Sequence, residues 1–594
     1  MSAPVEYRVD LADRKAHLYA IEARFPRPAN AETSEVLLHL PVWTPGSYLV
    51  REFGRHVQEL HCVDEAGKAL PVRKRDKSTW AVEAGDSTTV IARYRVYAYD
   101  LTVRAAHLDD SHGFWNGACV FLYNSFLADR RCRVLVDAPE GWHTSVALPE
   151  LSPCLFEALD YDELIDSPFE CGTQEVVRFT AQGKPHRLAI WGHVPTARDK
   201  LTGDLTKIID VAAQLFDGSV PYEEYLFILF TSPGAYGGLE HRRSTTLLTT
   251  PHGFAPRKKY EDFLELCSHE FFHLWNVKRI HPDVLGPFDY QREAYTRSLW
   301  VMEGVTSYYD RLLLVRAGLK KPAAYLKSIG EDVSKIMQTP GRLRASLEDA
   351  SFDAWIKFYR PDENSANSSI SYYLKGGVVT MMLDLTIRAR SESGRTLDDV
   401  MRLLWRRYGS RGLGFADGDV QAICEEATGL QLRDFFDRYV RGTEELDLVP
   451  LLRSVGLMIE ADRSDSTPFI GITTRESGDS AVVATVATGS PAEAAGLYAS
   501  DELVALDGFR VESSGLKARL RERRVGERVT LTVFRRDQLR TVELKLAERP
   551  LDQYEVKPVA DPTAAEGAAF ERWMGAPLSV LAKPQSEDEN EDKE

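Results

Sequence analysis

The sequence predicts a multidomain α+β protein with a β-rich N-terminal domain, a mainly α-helical central domain and a smaller β-rich C-terminal domain. Up to about residue 190, short alternating or β-branched runs such as residues 5–24 and 79–99 are separated by Pro, Gly and Asp, as in a series of strands. From about residue 200, apolar residues recur at helical spacing, for example in residues 201–216 and 376–390. Short strand-like runs return between about residues 455 and 548.

Domain boundaries follow from these changes of pattern. We expect domains at residues 1–190, 191–452 and 453–550, in keeping with the roughly three or four domains that a chain of 594 residues accommodates. Residues 551–594 are rich in Ala, Pro and acidic residues, and the last eight are almost entirely acidic. Such a segment buries little apolar surface, so we predict that it is a disordered tail.

The net charge and the targeting signals of the sequence indicate which classes of binding partner to expect. The net charge of −16 argues against general binding to nucleic acid or to an anionic membrane, because both repel an acidic surface. The first residues lack the basic and apolar regions of a secretory signal, and no apolar run reaches the length of a membrane span. Seven cysteines without a CxxC pair suit reduced thiols. We therefore expect a cytoplasmic protein without nucleic-acid or membrane partners.

Residues 261–275 contain the pattern His-Glu-x-x-His in a stretch without Pro or Gly, which predicts a helix. Residues four apart share one helix face, so the imidazoles of His269 and His273 can bind the same metal ion. Glu270 projects beside that ion, where a general base can take a proton from a metal-bound water. The motif predicts a catalytic metal site with His269 and His273 as ligands and Glu270 as base.

A catalytic zinc site needs a third protein ligand, and Glu303 is the residue that we select. It lies among Trp, Val and Met side chains in residues 300–305, where a carboxylate is costly unless it is paired or bound to a metal. His241 and His281 are the rival ligands. Two imidazoles and one carboxylate around an open position favour zinc, with one ion per chain.

These motifs resemble a known family. His269-Glu-x-x-His273 followed by Glu303-Gly304 resembles the gluzincin pattern of aminopeptidase N-type enzymes. Residues 273–279, 303–309 and 43–48 are closer to the glycyl-aminopeptidase family, whose members end in a PDZ domain, and the thirty-residue interval between His273 and Glu303 fits that family. The resemblance covers roughly residues 5–548. It implies a thermolysin-like zinc peptidase domain followed by a PDZ domain.

The resemblance also implies two further parts of a site. Ser371-Tyr-Tyr-Leu-Lys-Gly376 is similar to a Tyr-x-Lys-Gly motif, which assigns Tyr373 as the hydrogen-bond donor to the oxyanion, although Tyr372 remains an alternative. Gly237-Gly-Leu-Glu240-His241 resembles a Gly-x-Met-Glu-Asn strand in which the glutamate holds the α-amine of the substrate. Gly237 and Gly238 would let that strand approach the substrate backbone. This chain has Leu and His where the pattern has Met and Asn.

The C-terminal region resembles a PDZ domain of the bacterial protease type. The resemblance rests on Phe-Ile-Gly-Ile at residues 469–472, Gly-Ser-Pro-Ala-Glu-Ala-Ala-Gly-Leu at residues 489–497 and the segment 501–508. Such a domain can bind a peptide C-terminus by adding the peptide as a strand. It can equally serve only to pack against a catalytic domain.

Together these features predict a zinc metallo-aminopeptidase that acts on peptides with a free N-terminus. The resemblance implies a preference for N-terminal Gly or Ala. Two alternatives remain open from the sequence. One is a zinc endopeptidase whose PDZ domain tethers protein substrates, and the other is an inactive scaffold that binds partners through the PDZ domain.

Overall fold

The N-terminal region is built from three β-sheets. The computed structural model describes residues 3–27, 33–478, 480–512 and 515–582. Alternate residues of the first strand are buried, from Val5 to Leu11, as the period of two in the sequence requires. The elements of this region are β1 Val5–Asp13, β2 Leu18–Pro26, β3 Glu35–His39, β4 Val57–Val63, β5 Ala69–Leu70, β6 Val72–Lys74, β7 Thr79–Glu83, β8 Thr89–Tyr97, β9 Ala106–Leu108, β10 His112–Trp115, β11 Cys132–Asp137, β12 His143–Ser145, β13 Glu150–Ser152, β14 Leu155–Ala158, α1 Tyr161–Ile165 and β15 Phe169–Gly172.

The largest of the three sheets has eight strands in the order β13-β14-β11-β1-β2-β8-β4-β5. Its neighbours have the orders β12-β15-β10-β9 and β3-β7-β6. Strand β1 pairs antiparallel with β2 and parallel with β11, so the first strand lies in the middle of the sheet. The β-rich character expected for this region is confirmed.

The central region combines one mixed sheet with a set of helices. Its strands are β16 Glu175–Ala181, β17 Lys184–Trp191, β18 Tyr225–Thr231, β19 Gly237–Glu240 and β20 Ser244–Thr249. Its α-helices are α2 Arg198–Leu215, α3 Arg257–Phe272, α4 Val305–Arg316, α5 Pro322–Met337, α6 Leu347–Phe352, α7 Ser365–Ser368, α8 Leu374–Arg390, α9 Leu397–Arg407, α10 Val420–Thr428, α11 Arg433–Tyr439 and α12 Val449–Arg453. A π-helical turn, Trp300–Gly304, directly precedes α4.

The order of this mixed sheet is β16-β17-β18-β20-β19, which leaves β19 at one edge. Strand β18 reads Tyr-Leu-Phe-Ile-Leu-Phe-Thr and is buried along its whole length, as expected for a strand covered on both faces. Strand β19 runs antiparallel to β20 and packs against α3. The edge of the sheet therefore lies beside the helix that carries the His-Glu-x-x-His motif.

The C-terminal region contains a six-stranded sheet. Its elements are β21 Leu457–Asp462, β22 Ile472–Ser477, β23 Ser480–Val486, α13 Pro491–Ala495, β24 Glu502–Leu506, β25 Phe509–Arg510, α14 Gly515–Arg521, β26 Arg528–Arg535, β27 Gln538–Lys545, β28 Gln553–Pro558 and α15 Ala564–Met574. The sheet has the order β22-β23-β24-β26-β27, with β25 paired to β24, and encloses its own apolar core. The multidomain α+β architecture is thus as predicted.

The prediction of a disordered tail at residues 551–594 is wrong for the first part of this segment. Strand β28 pairs with β21, and helix α15 follows it, with Phe570, Trp573 and Met574 buried in the core of the central region. The composition of the segment did not indicate this ordered helix, because a few apolar residues at helical spacing are enough to anchor a short helix. Residues 583–594 lie outside the described residues.

Two other expectations concern the chain as a whole. All seven cysteines are free thiols. In the described part of the chain, no helix combines the length and the apolar character that a membrane crossing requires.

The anchoring of α15 can be tested through Trp573. Its indole Nε1 donates to the hydroxyl of Tyr308 at 2.9 Å, and that hydroxyl donates to Asp384 at 2.6 Å. We expect Trp573→Ala to lower the free energy of unfolding by about 3–5 kcal/mol, because a large buried ring is lost. Urea unfolding followed by circular dichroism measures the change. Glu571→Ala, on the exposed face of the same helix, is the control and should change stability by no more than about 0.5 kcal/mol. Equal effects of the two substitutions would contradict the anchoring.

Candidate metal and substrate site

Helix α3 and the π-helical turn bring the three predicted ligands together. His269 lies in the last turn of α3, and His273 directly follows the helix. The Nε2 atoms of His269 and His273 lie 3.5 and 3.2 Å from the Glu303 carboxylate. One ligand atom from each residue lies within 4.8 Å of the other two, a separation that a single divalent cation can bridge. His273 and Glu303 are each about 2% exposed.

Hydrogen bonds behind the two rings show that these residues fit a metal. The Nδ1 atom of His273 lies 2.8 Å from the carbonyl oxygen of Asn276, which can only accept, so Nδ1 carries the proton. The Nδ1 atom of His269 lies 2.9 Å from the Asp310 carboxylate. With Nδ1 held in this way, each ring turns its Nε2 atom towards the carboxylate of Glu303. Two Nε2 atoms that converge with a carboxylate suit a metal ion, and carbonyl and carboxylate partners of this kind are usual behind metal-binding histidines.

Asn276 connects the two segments that carry the ligands. Its Nδ2 atom donates to the carbonyl oxygens of Val301 and Met302 at 2.8 and 3.0 Å and to the hydroxyl of Thr306 at 3.0 Å. The same residue orients the His273 ring through its backbone carbonyl. The end of α3 is thus tied to the turn that presents Glu303.

A close approach of two glycines places Glu303 beside the start of α8. A Cβ atom on Gly304 would lie 2.7 Å from the backbone of Gly376, and one on Gly376 would lie 3.0 Å from the Cα of Gly304. Any side chain at Gly304 would force the two helices apart. The glycines that follow Glu303 and Lys375 therefore serve the same contact.

The electrostatics of the cleft distinguish its carboxylates. Burial opposes ionisation of Glu303, but the two imidazoles outweigh it and lower the pKa to about 2. Burial, reinforced by the charges of Glu240 and Glu303, raises the pKa of Glu270 to about 7. A divalent cation beside Glu270 would lower that value. Glu303 is therefore charged at neutral pH, whereas Glu270 is suited to exchanging protons near neutral pH.

Glu240 and Gly238 lie on the face of strand β19 that is turned towards Glu270. A Cβ atom on Gly238 would lie 2.1 Å from a Glu270 carboxylate oxygen, so only glycine fits at this position. Gly46 of the N-terminal region closes the other side, since its Cβ would lie 2.7 Å from both carboxylate oxygens of Glu240. Glu240 is 4% exposed, and its Oε1 atom has no hydrogen-bond partner among the described residues. A buried carboxylate without a cation is suited to receive one.

These residues surround a cleft of about 320 Å³. Tyr373 lines the cleft, and its ring stacks over His269 with a centroid distance of 6.3 Å. Tyr372 is fully buried and lies outside the cleft lining. Of the two tyrosines left open by the sequence, Tyr373 is the one that faces the ligands. The lining residues are Gly46, Arg104, Tyr236, Gly238, Glu240, Glu265, Leu266, His269, Glu270, His273, Glu303, Asp310, Phe358, Tyr359 and Tyr373.

The rival ligands have other partners. The Nδ1 atom of His241 lies 3.3 Å from Asp166, a carboxylate that also binds Lys278 at 2.5 Å. The Nδ1 atom of His281 faces the carbonyl oxygen of Pro282 at 2.9 Å. Neither histidine belongs to the group of possible ligands around His273 in the described part of the chain.

Comparison with known proteins identifies the family. Sequence profiles of the Peptidase M61 N-terminal domain, the M61 glycyl aminopeptidase and the PDZ domain match residues 6–173, 262–379 and 468–546. An aminopeptidase N family protein from Idiomarina loihiensis has a crystal structure with a TM-score of 0.89, at 32% identity over 96% of this chain and 100% of that one. The chain belongs to the M61 glycyl aminopeptidase family. It is a member of a peptidase family and carries a PDZ domain, as the motifs predicted.

A more distant resemblance to this M61 family member is seen in an M1 zinc metallopeptidase from Deinococcus radiodurans. The TM-score is 0.47 at 13% identity, over 75% of this chain and 94% of the other. No curated protein matches the chain.

Several residues of the M61 site could not be found from local motifs. Asp310 contacts His269 from within α4, about two helical turns beyond Glu303, and this helical spacing is the one signal that could have suggested it. Gly46, Arg104 and Tyr359 reach the cleft from distant parts of the chain. Gly46 lies in the Trp-Thr-Pro-Gly-Ser-Tyr segment, which resembled the family without indicating a role.

The glycine contact yields a prediction for the M61 site. We expect Gly304→Ala to lower stability by about 1–3 kcal/mol and to weaken metal binding, because the new methyl group displaces the turn that carries Glu303. Thermal unfolding and metal content after dialysis measure the two effects. Gly377→Ala is the matched control, since its Cβ would meet Ser307 at an ordinary 3.4 Å. If Gly304→Ala retained wild-type metal content and stability, the contact would have no role in positioning Glu303.

Proposed function

We propose that this M61 family member is a zinc-dependent aminopeptidase. The observation that carries the proposal is the grouping of Glu240, Glu270 and His273, whose ligand atoms lie within 4.8 Å of one another. An α-ammonium bound by Glu240 would leave room for only one residue before the scissile bond reached the histidines. An endopeptidase has no use for a buried, unpartnered carboxylate at that position.

His269, His273 and Glu303 are the residues that would hold zinc. When bound, zinc supplies Lewis acidity to the scissile carbonyl and lowers the pKa of a water molecule. Two imidazoles, one carboxylate and an open side towards the cleft form the usual protein contribution to a catalytic zinc site.

The chain's own residues provide the remaining chemistry. Glu270 takes the proton of the attacking water and delivers it to the nitrogen of the leaving peptide. The hydroxyl of Tyr373 donates a hydrogen bond to the oxygen of the scissile carbonyl as negative charge develops there. Glu240 neutralises the α-ammonium, while Gly237 and Gly238 let the substrate backbone approach the edge of the sheet. Asp310 and Asn276 keep the two imidazole rings oriented.

Substrate preference and the role of the PDZ domain are further parts of the proposal. A preference for N-terminal Gly or Ala follows from the resemblance to the glycyl-aminopeptidase family. Strand β22 lies at the edge of the PDZ sheet, where an added peptide strand could pair and present its C-terminus to residues 469–472. Asn367 of α7 binds the backbone of Val486 and Thr488, so this domain also contacts the catalytic region.

Free and N-acetylated alanyl p-nitroanilide, assayed with and without a chelator, test the central proposal. We expect cleavage of the free-amine compound only, loss of activity with chelator and recovery with zinc. Glu240→Gln should lower kcat/KM for the free-amine compound by roughly ten- to hundred-fold, because one charge-assisted contact is lost. Equal cleavage of the acetylated compound would favour the endopeptidase. Stoichiometric zinc without hydrolysis of any free-amine peptide would favour the inactive scaffold.

Glu270 is expected to act on the chemical step without holding the metal. Glu270→Gln should lower kcat by roughly 10²- to 10⁴-fold, because the general base is removed while the side chain keeps its shape. Steady-state kinetics and metal analysis by mass spectrometry separate the two properties. His273→Ala is the comparison, and it should lose both metal and activity. A Glu270→Gln protein that loses its metal would show that Glu270 has a structural role at the ligands.

A further inference from the structure

One arginine of the N-terminal region, Arg104, lines the cleft, and Arg51 is a second positive charge near it. Within the described residues, neither guanidinium has a carboxylate within 4.0 Å, although the protein contains many ion pairs. The Nε atom of Arg104 is buried and has no acceptor there. Burial, and then the charge of Arg104, lower the pKa of Arg51. Arg104 therefore lines the cleft with a positive charge, a buried Nε without an acceptor and no carboxylate partner, so it is suited to bind an anionic ligand.

The position of Arg104 along β19 shows which part of a substrate would reach it. Arg104 Nη2 donates to the carbonyl oxygen of Gly238 at 3.4 Å, and a Cβ on Gly237 would lie 3.7 Å from Nη1. Along the strand, therefore, Glu240 comes at one end, Gly238 lies beside Glu270, and Arg104 lies beside Gly238 and Gly237 towards the other end. Strand residues advance by about 3.3 Å, so Glu240 and Gly237 are separated by roughly 10 Å along the edge.

We propose that Arg104 is a specificity-determining residue that binds the C-terminal carboxylate of short peptides. The inference rests on the proposed aminopeptidase function and names its preferred substrates as dipeptides and tripeptides with a free carboxylate. With the α-ammonium at Glu240 and the scissile carbonyl at the metal ligands, the residue after the scissile bond extends towards Gly237. An extended peptide of two or three residues matches the spacing between the two ends of the edge strand.

Charge complementarity supports this direction of binding. The cleft is lined by the carboxylates of Glu240, Glu270 and Glu303 and by the guanidinium of Arg104, which lies beside Gly238 and Gly237. A guanidinium presents several donors in a planar fork that fits a carboxylate, and such contacts are about twice as strong as neutral hydrogen bonds. An amidated peptide offers only a neutral oxygen at the same place and should bind less well.

The test compares alanyl-alanine, alanyl-alanine amide and alanyl p-nitroanilide as substrates of the full chain. We expect the wild type to cleave the free acid with a kcat/KM roughly ten- to hundred-fold above that for the amide. Arg104→Gln should bring the ratio of kcat/KM for the free acid to that for the amide close to one, mainly by raising KM for the free acid. Arg104→Lys should restore part of the preference, because it keeps the charge but not the fork.

Arg55→Gln, an exposed position of the same region, is the matched control and should leave all three rates unchanged. The inference is overturned if Arg104→Gln lowers all three rates equally, or if it leaves the preference for the free acid intact. The anilide has no carboxylate, so its cleavage reports on the proposed function independently of Arg104. Failure of the wild type on all three substrates would overturn the aminopeptidase proposal and this inference with it.

Discussion

The site depends on the hydrogen bonds of Asn276, which hold the two ligand segments at a fixed distance. Its side-chain amide donates to two carbonyl oxygens in the turn that presents Glu303 and to Thr306 in α4, and its backbone carbonyl oxygen accepts from the ring of His273. Asn276 is fully buried, so none of these bonds can be exchanged for water without cost. Together with the contact between Gly304 and Gly376, these bonds hold His273 Nε2 3.2 Å from the Glu303 carboxylate.

The sequence could indicate the candidate ligands because their evidence is local. His269 and His273 share a helix face through their spacing, and Glu303 was recognisable as an acid in an apolar helix. Adjacent positions in a sequence do not show which of two side chains faces a cleft. The choice between Tyr372 and Tyr373 therefore required the structure at the start of α8. Residues that reach the cleft over long separations, such as Arg104, carry no local signal. The average composition of residues 551–594 also gave no indication of helix α15, because the burial of this helix depends on only a few apolar residues.

The N-terminal region takes part in the site as well as in the fold. Its segment 43–48 is fixed to the central region by Trp43, whose indole donates to the carbonyl oxygen of Asp289 and whose ring packs edge-on against Trp355. Gly46 in that segment then lies against Glu240. The proposed amine site therefore lies between two regions of the chain, so its geometry depends on their packing and not on β19 alone.

Close backbone contacts position the carboxylates of the cleft. Gly46 stands against Glu240, and Gly238 stands against Glu270, each where a side chain would otherwise fill the space. These contacts are steric and do not neutralise the two carboxylates. A metal ion and a substrate α-ammonium would supply positive charge to the carboxylates, while Arg104 offers positive charge to an anionic group of the substrate. The charged residues that line the cleft are thus complementary to a short zwitterionic peptide, which carries one charge of each sign.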